Sequence, residues 1–161
     1  MELVVREADL ANLTEKNRQK ARQLIEMLSQ VMKNETPVRI QRPLDVYQLS
    51  LDLIPLSQEH FVVYFLSSKN RIIERKIISI GSLNATVVHP REVFREAILR
   101  SCAAIVCVHN HPSGDPAPSP EDIEVTRRLI EAGHIIGIDV LDHVIVGRDG
   151  YVSMKEGGLI A

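Results

Sequence analysis

An apolar run, Ala103-Ala104-Ile105-Val106-Cys107-Val108, leads directly into His109-Asn110-His111. A loop rich in proline and glycine follows, and Ser119-Pro120-Glu121-Asp122 then opens a new pattern. The run has the length and apolar content of a buried strand. Alternate side chains of a strand share a face, so His109 and His111 point into one space. Ser119 reads as a helix N-cap and Pro120 as the first helical position, which sets Asp122 in the first turn, close to where the strand ends. Two neutral imidazoles and one carboxylate are a common three-ligand set for a catalytic zinc, with one position left for water. A plainer account competes with this one. Ser119-x-x-Asp122 is also a capping box with Asp in place of Glu or Gln, and loop histidines can be satisfied by backbone carbonyls. The two roles of Asp122 conflict, because a ligand oxygen has less freedom to cap. The conjunction of strand, His-x-His, loop and capped helix favours the metal site.

The rest of the chain organises around that segment. Residues 14 to 33 have the spacing of an amphipathic helix, with Ala21, Leu24, Ile25, Leu28, Val31 and Met32 on one side and Thr14 as N-cap. A polar linker reaches Pro43, and a second helical pattern surrounds Val46, Leu49, Leu53 and Ile54. Strands are expected near 60–67 and 71–80, joined as a hairpin through Lys69-Asn70, with a short strand around Thr86-Val87-Val88. A helix opens at Pro90 and runs to about Arg100. The strand 103–109 and the metal loop come next. A helix from Pro120 to about Ala132, a strand near 136–146 and a hairpin over Asp149-Gly150 complete the chain. Mixed strands and helices of these lengths favour an α/β fold, a three-layer sandwich with a mixed sheet. The expected division is an N-terminal helix and linker over 1–42 and one catalytic domain over 43–161.

Composition narrows the function classes. The chain has 161 residues, 45% hydrophobic and 25% charged, which is ordinary globular usage. No apolar stretch approaches the length of a membrane span, and no charged-then-apolar N-terminus marks a secretion signal. Cys102 and Cys107 are expected to be buried thiols, which fits a reducing cytoplasm. With 19 basic and 21 acidic residues, net −2, the chain lacks the basic balance of many phosphate-backbone binders. Residues up to Arg42 mix basic and acidic side chains as a solvated surface does. Nucleic acid is therefore possible as a partner but not supported by charge. Asp142 and His143 stand in an otherwise apolar strand, where polar groups are costly unless partnered. They fit a role in orienting a ligand imidazole and an ordinary hydrogen-bonded strand pair equally well.

The residues His109-x-His111, Ser119 and Asp122 reproduce the His-x-His-x7-Ser-x2-Asp pattern of the JAMM (MPN+) metalloproteases. His109-Asn110-His111-Pro112-Ser113-Gly114-Asp115-Pro116, with Leu141-Asp142-His143-Val144-Ile145-Val146-Gly147 downstream, resembles the bacterial RadC-like branch. Gly81-Ser82-Leu83-Asn84 and His89-Pro90-Arg91-Glu92-Val93-Phe94 are similar to that branch too. The resemblance covers about residues 43 to 160. It implies the deaminase-like JAMM fold and a glutamate ahead of the preceding strand as general base. The matching position is Glu59, before Phe61-Val62-Val63-Tyr64-Phe65-Leu66, with Glu92 a less well placed rival. A zinc lowers the pKa of its water to about 7, and a nearby carboxylate can take that proton and later return it to a leaving amine. The resemblance also implies a second role for Ser119, as a hydrogen-bond donor to the oxyanion. Nucleases named for His-Asn-His disperse those residues over a ββα unit, whereas here the three are consecutive. Zinc deaminases require His-x-Glu and Pro-Cys-x-x-Cys, which this chain lacks. Many RadC-like proteins carry a glycine-dependent helix-hairpin-helix region. The first glycine here is Gly81, so residues 1 to 42 do not supply that hairpin in its usual form.

Two function classes follow. The leading one is a zinc hydrolase of peptide or isopeptide bonds, with one Zn2+ held by His109, His111 and Asp122, Glu59 moving the proton, and Ser119 steadying the oxyanion of a protein or peptide substrate. The alternative is a DNA-repair or genome-maintenance factor that uses the fold for binding. A structural zinc normally has four closed protein ligands, so three with a base favour chemistry.

Overall fold

The computed structural model describes residues 13–34, 38–81 and 88–160, with side chains described only to residue 25 in the first stretch. The chain divides into two compact units, Met1–Pro37 and Val38–Ala161. In the first unit, helix α1 spans Glu15–Asn34. The Arg18 N–H donates to the Thr14 carbonyl at 2.8 Å, so Thr14 stands where the sequence placed the cap. No described helix is long and apolar enough to cross a membrane.

The second unit is an α/β sandwich built on one mixed sheet. Its strands are β1 (His60–Leu66), β2 (Ile72–Ile80), β3 (Ala104–Asn110), β4 (Asp139–Gly147) and β5 (Gly150–Ser153), in the order β2-β1-β3-β4-β5. β1 is antiparallel to β2 and to β3, β3 is parallel to β4, and β4 is antiparallel to β5. β1 and β3 are buried on both faces, which explains why they read as unbroken apolar runs and not as alternating ones. Helices α3 (Pro90–Leu99) and α4 (Pro120–Ile136) cover one face, where Phe61, Val63, Ile105 and Cys107 meet Val93, Phe94, Val125 and Leu129. Helix α2 (Pro43–Leu49) and a 3-10 turn, Leu51–Leu53, cover the other, where Val62, Tyr64, Val106 and Val144 meet Val46 and Leu53. The layers are those expected from the sequence.

The differences have local causes. The fourth helix runs to Ile136, past the expected end at Ala132, and β4 accordingly begins later, at Asp139. Gly133 lies inside this helix, where a Cβ would stand 2.5 Å from the Ile138 carbonyl; the chain turns out instead at Gly137, in the left-handed region at φ 81°. The β1–β2 hairpin turns through Asn70, also left-handed at φ 56°. Residues 38–40 lie on the linker side of the boundary expected from sequence, yet they hydrogen-bond to the start of β2. The Ile40 N–H donates to the Asn70 carbonyl, and the Ile72 N–H donates to the Val38 carbonyl. Thr86 and Val87 of the expected short strand lie outside the described residues; Val88 is buried in the core but is not in a strand. Both cysteines are buried and unpaired, and burial pushes each thiol above its ordinary pKa.

Candidate metal centre

The end of β3 and the start of α4 bring His109, His111 and Asp122 together. Alternation along β3 sends His109 toward the α3/α4 face and Asn110 to the opposite side. The strand ladder carries on one residue beyond β3, with the His111 N–H donating to the Val146 carbonyl at 2.9 Å, so His111 returns to the face of His109. The loop then packs against β4 at Gly147, where a Cβ would lie 2.1 Å from the Gly114 carbonyl oxygen; only glycine permits that approach. Ser119 caps α4 with its hydroxyl oxygen on the Asp122 N–H at 3.1 Å. One ligand atom from each of the three side chains lies within 4.8 Å of the others. The Nε2 atoms of His109 and His111 are 3.0 Å apart. Asp122 Oδ1 is 3.3 Å from His109 Nε2, and Oδ2 is 3.4 Å from His111 Nε2.

The carboxylate divides its two demands unequally, with Oδ1 given to the cluster and Oδ2 shared between the cap and His111. Oδ2 accepts the Ser119 N–H at 2.8 Å and the Ser119 hydroxyl at 2.7 Å, while Oδ1 faces His109. The conflict raised by the sequence is thus eased at Oδ1, which makes no bond to Ser119, and stays at Oδ2. Burial on its own would raise the Asp122 carboxyl, but the two imidazoles and the Ser119 hydroxyl outweigh it and hold the group far below the ordinary range.

Hydrogen bonds behind the imidazoles aim them. His111 Nδ1 lies 2.8 Å from the Asp115 carbonyl, to which it can only donate, so its Nε2 faces the cluster. His109 Nδ1 lies 2.8 Å from Nε2 of the fully buried His143. His143 Nδ1 in turn meets the Thr126 hydroxyl, which also contacts the Asp122 carbonyl. Desolvation lowers the pKa of His109 and lowers that of His143 well below the ordinary histidine value. For His111 the hydrogen bond to Asp122 outweighs burial and raises the imidazole. Two bare imidazole nitrogens at 3.0 Å would repel each other, so a proton or a metal ion belongs between them. A single proton between the two nitrogens meets that need, and a divalent metal bound by both nitrogens and the carboxylate would meet it too. The three side chains could hold a metal ion.

Glu59 stands in the segment just before β1. Its charge adds a smaller upward pull on both His109 and His111, behind the Asp122 effects and the opposing burial. Asn110 brackets it. The Asn110 side-chain oxygen accepts the His60 N–H at 2.8 Å, and its NH2 donates to the Gln58 carbonyl at 3.0 Å. The amide thereby mimics a peptide group and extends the β1–β3 ladder one rung past the start of β1. Sequence reasoning did not single out Asn110 or Thr126, and left His143 undecided. The available signals were the buried amide between two candidate ligands, and the four-residue spacing that stacks Thr126 over Asp122 on one helix face.

A mixed-sheet α/β domain carrying a His-x-His strand end and a capped-helix aspartate is the architecture of JAB-type proteins. The family model of the RadC-like JAB domain matches residues 40–159, and the chain belongs to that family. It is 64% identical over 109 residues to a UPF0758 protein of Geobacillus sp. (strain WCH70), a match covering 68% of this chain and 48% of the relative. A UPF0758 protein of Geobacillus thermodenitrificans (strain NG80-2) is 62% identical over the same length, with the same coverage. One of Bacillus cereus (strain AH187) is 64% identical over 105 residues, covering 65% of this chain and 47% of the relative. The chain spans about half the length of the curated relatives it matches.

Proposed function

We propose that this chain is a zinc-dependent hydrolase of peptide or isopeptide bonds that works in the cytoplasm. His109, His111 and Asp122 would hold one zinc ion. The observation that carries the reading is the convergence of two aimed imidazole nitrogens and one carboxylate oxygen on one point. Zinc in such a site supplies Lewis-acid charge and an acidified water. Glu59, fixed between Gln58 and His60 by the Asn110 amide, takes up a proton and returns it to the leaving amine. Ser119 donates to the substrate oxyanion, for which its hydroxyl must turn away from Asp122 Oδ2; the Ser119 N–H keeps its own bond to that oxygen. The substrate is a protein or peptide, since the net charge of −2 favours no phosphate backbone.

The test is a pair of variants in the zinc-loaded protein. Glu59→Gln should lower turnover of a cleaved peptide or isopeptide substrate by about 10²–10⁴-fold with zinc content unchanged. Asp122→Asn should release zinc. Wild-type turnover in Glu59→Gln, or loss of its zinc, would refute the assignment of the base.

A further inference from the structure

Thr126 and His143 join two of the proposed ligands through the core, and their contacts fix more than the direction of the His109 ring. The proton positions along this chain of contacts follow from what each atom is able to do. The Asp122 backbone carbonyl can only accept, so the Thr126 hydroxyl, 2.5 Å away, donates its single proton there. The Met154 sulfur, at 3.4 Å from the same hydroxyl, is the weaker and more distant acceptor. The Thr126 oxygen is then left as an acceptor, and His143 Nδ1 must carry the proton that it receives. With its one proton on Nδ1, the fully buried His143 presents a bare Nε2, which accepts from His109 Nδ1 at 2.8 Å. His109 is fully buried too, and the proton it places on Nδ1 to meet His143 leaves Nε2 with a lone pair. That lone pair faces the point shared with His111 and Asp122.

We propose that Thr126 and His143 are positioning residues of the metal centre: one hydroxyl on α4 fixes the tautomer of His143, which fixes that of His109 and leaves the ligating nitrogen unprotonated. The relay starts on the carbonyl of Asp122, itself a proposed ligand, so the α4 terminus and the β3 end are held in one arrangement. This inference rests on the metal-binding reading given above. Thr126→Val is nearly isosteric but offers no oxygen. His143 Nδ1 then loses its acceptor, and the alternative tautomer, with the proton on Nε2, pushes the His109 proton onto the nitrogen that should bind metal.

Two measurements test the relay. In the metal-free wild-type protein, long-range 1H–15N correlation spectra should show both His143 and His109 protonated at Nδ1. Competition with a chromophoric chelator should then show zinc bound about 10–100-fold more weakly by Thr126→Val, with Thr126→Ser close to wild type. Should Thr126→Val not fold, Thr126→Ala takes its place, and the wild-type spectrum needs no variant. A wild-type His109 protonated at Nε2 overturns the proposal. So does a Thr126→Val protein that keeps wild-type zinc affinity, or one that binds zinc weakly while its His109 tautomer is unchanged. A wild-type protein that shows the expected tautomers but binds no zinc refutes the metal-binding reading instead, and leaves the relay as a structural network.

Discussion

Asp142 and His143 are neighbours on β4 whose side chains leave the sheet on opposite faces, and the polar clusters they join are built differently. On the α2 side, Asp142 is closed off. Its Oδ1 accepts the N–H groups of His143 at 2.8 Å and Lys155 at 3.1 Å, and its Oδ2 accepts the Ser153 hydroxyl at 2.6 Å. Burial raises this carboxyl, and the three donors pull against that rise. Every contact ends within the protein, as expected of a buried polar group whose task is structural. On the α4 side, the contacts behind His143 and His109 do not end in a satisfied pair. They deliver two imidazole nitrogens and a carboxylate oxygen to one point, where a proton or a metal ion must lie between the nitrogens. Burial and hydrogen bonding are common to both clusters. What sets the α4-side cluster apart is that its polar contacts leave acceptors aimed at each other.

The largest expected effect tests that distinction directly. His109→Ala together with His111→Ala removes both nitrogens and should reduce zinc from about one per chain to background by elemental analysis. A variant at the closed cluster, Asp142→Leu, should retain its zinc. If the double variant keeps full zinc, the cluster is not the metal centre and the contrast fails.

Second in size is the converse experiment on stability. Asp142→Leu leaves the buried His143 N–H, the part-buried Lys155 N–H and the Ser153 hydroxyl without their acceptor, and should cost about 2–5 kcal/mol in urea unfolding. Asp142→Asn keeps an acceptor oxygen for the N–H groups and can still pair with Ser153, so its cost should stay near 1 kcal/mol or below. A loss in Asp142→Leu within about 0.5 kcal/mol would show that this cluster is not needed for the fold.

The third effect is a pH dependence confined to the α4 side. His111 is raised above its ordinary value by Asp122, so in the metal-free protein its proton persists to higher pH than on a free imidazole. Zinc must displace that proton. Affinity should therefore fall as pH drops through the raised His111 value, by up to about tenfold per pH unit for one displaced proton, and level off above it. His109 and His143 are shifted the other way, lowered by burial. Calorimetric or chelator titrations from pH 6 to 8 measure the slope. A flat profile would mean that no proton holds the place of the metal. Asp142→Asn should leave the slope unchanged, because that carboxyl faces the other side of the sheet.

How much of this was legible beforehand divides along the same line. The layers, the order of strands and helices, and the grouping of His109, His111 and Asp122 follow from local signals: apolar runs, alternation, a Ser-Pro helix start. Glu59 came from the resemblance alone, since a glutamate before a strand carries no signal of its own. The relay through Thr126 and the Asn110 bracket depend on contacts between residues 17 and about 50 positions apart, which spacing cannot reveal. The sequence marked Asp142 and His143 together as polar groups in an apolar strand. It could not separate them, because alternation sends neighbours to opposite faces without saying what waits there. The end of α4 was misjudged for a related reason: whether Gly133 stops a helix or lets another segment approach depends on Ile138, which is placed by the tertiary fold.

The smallest effect concerns Ser119, where the structural and functional networks meet on one carboxylate. Ser119→Ala removes the hydroxyl that accepts the Asp122 N–H and donates to Oδ2, but it keeps the Ser119 backbone N–H on that same oxygen. The lost cap should cost about 1 kcal/mol in thermal or urea unfolding. Zinc affinity should change little, because Oδ1, which faces His109, makes no bond to Ser119. The comparison between clusters is sharpest here. If stability falls and zinc is retained, Oδ2 belongs to the closed, structural kind of contact and Oδ1 to the other. If zinc weakens as much as it does on loss of Thr126, the capping oxygen also holds the ligand in place, and the division of labour within Asp122 is wrong.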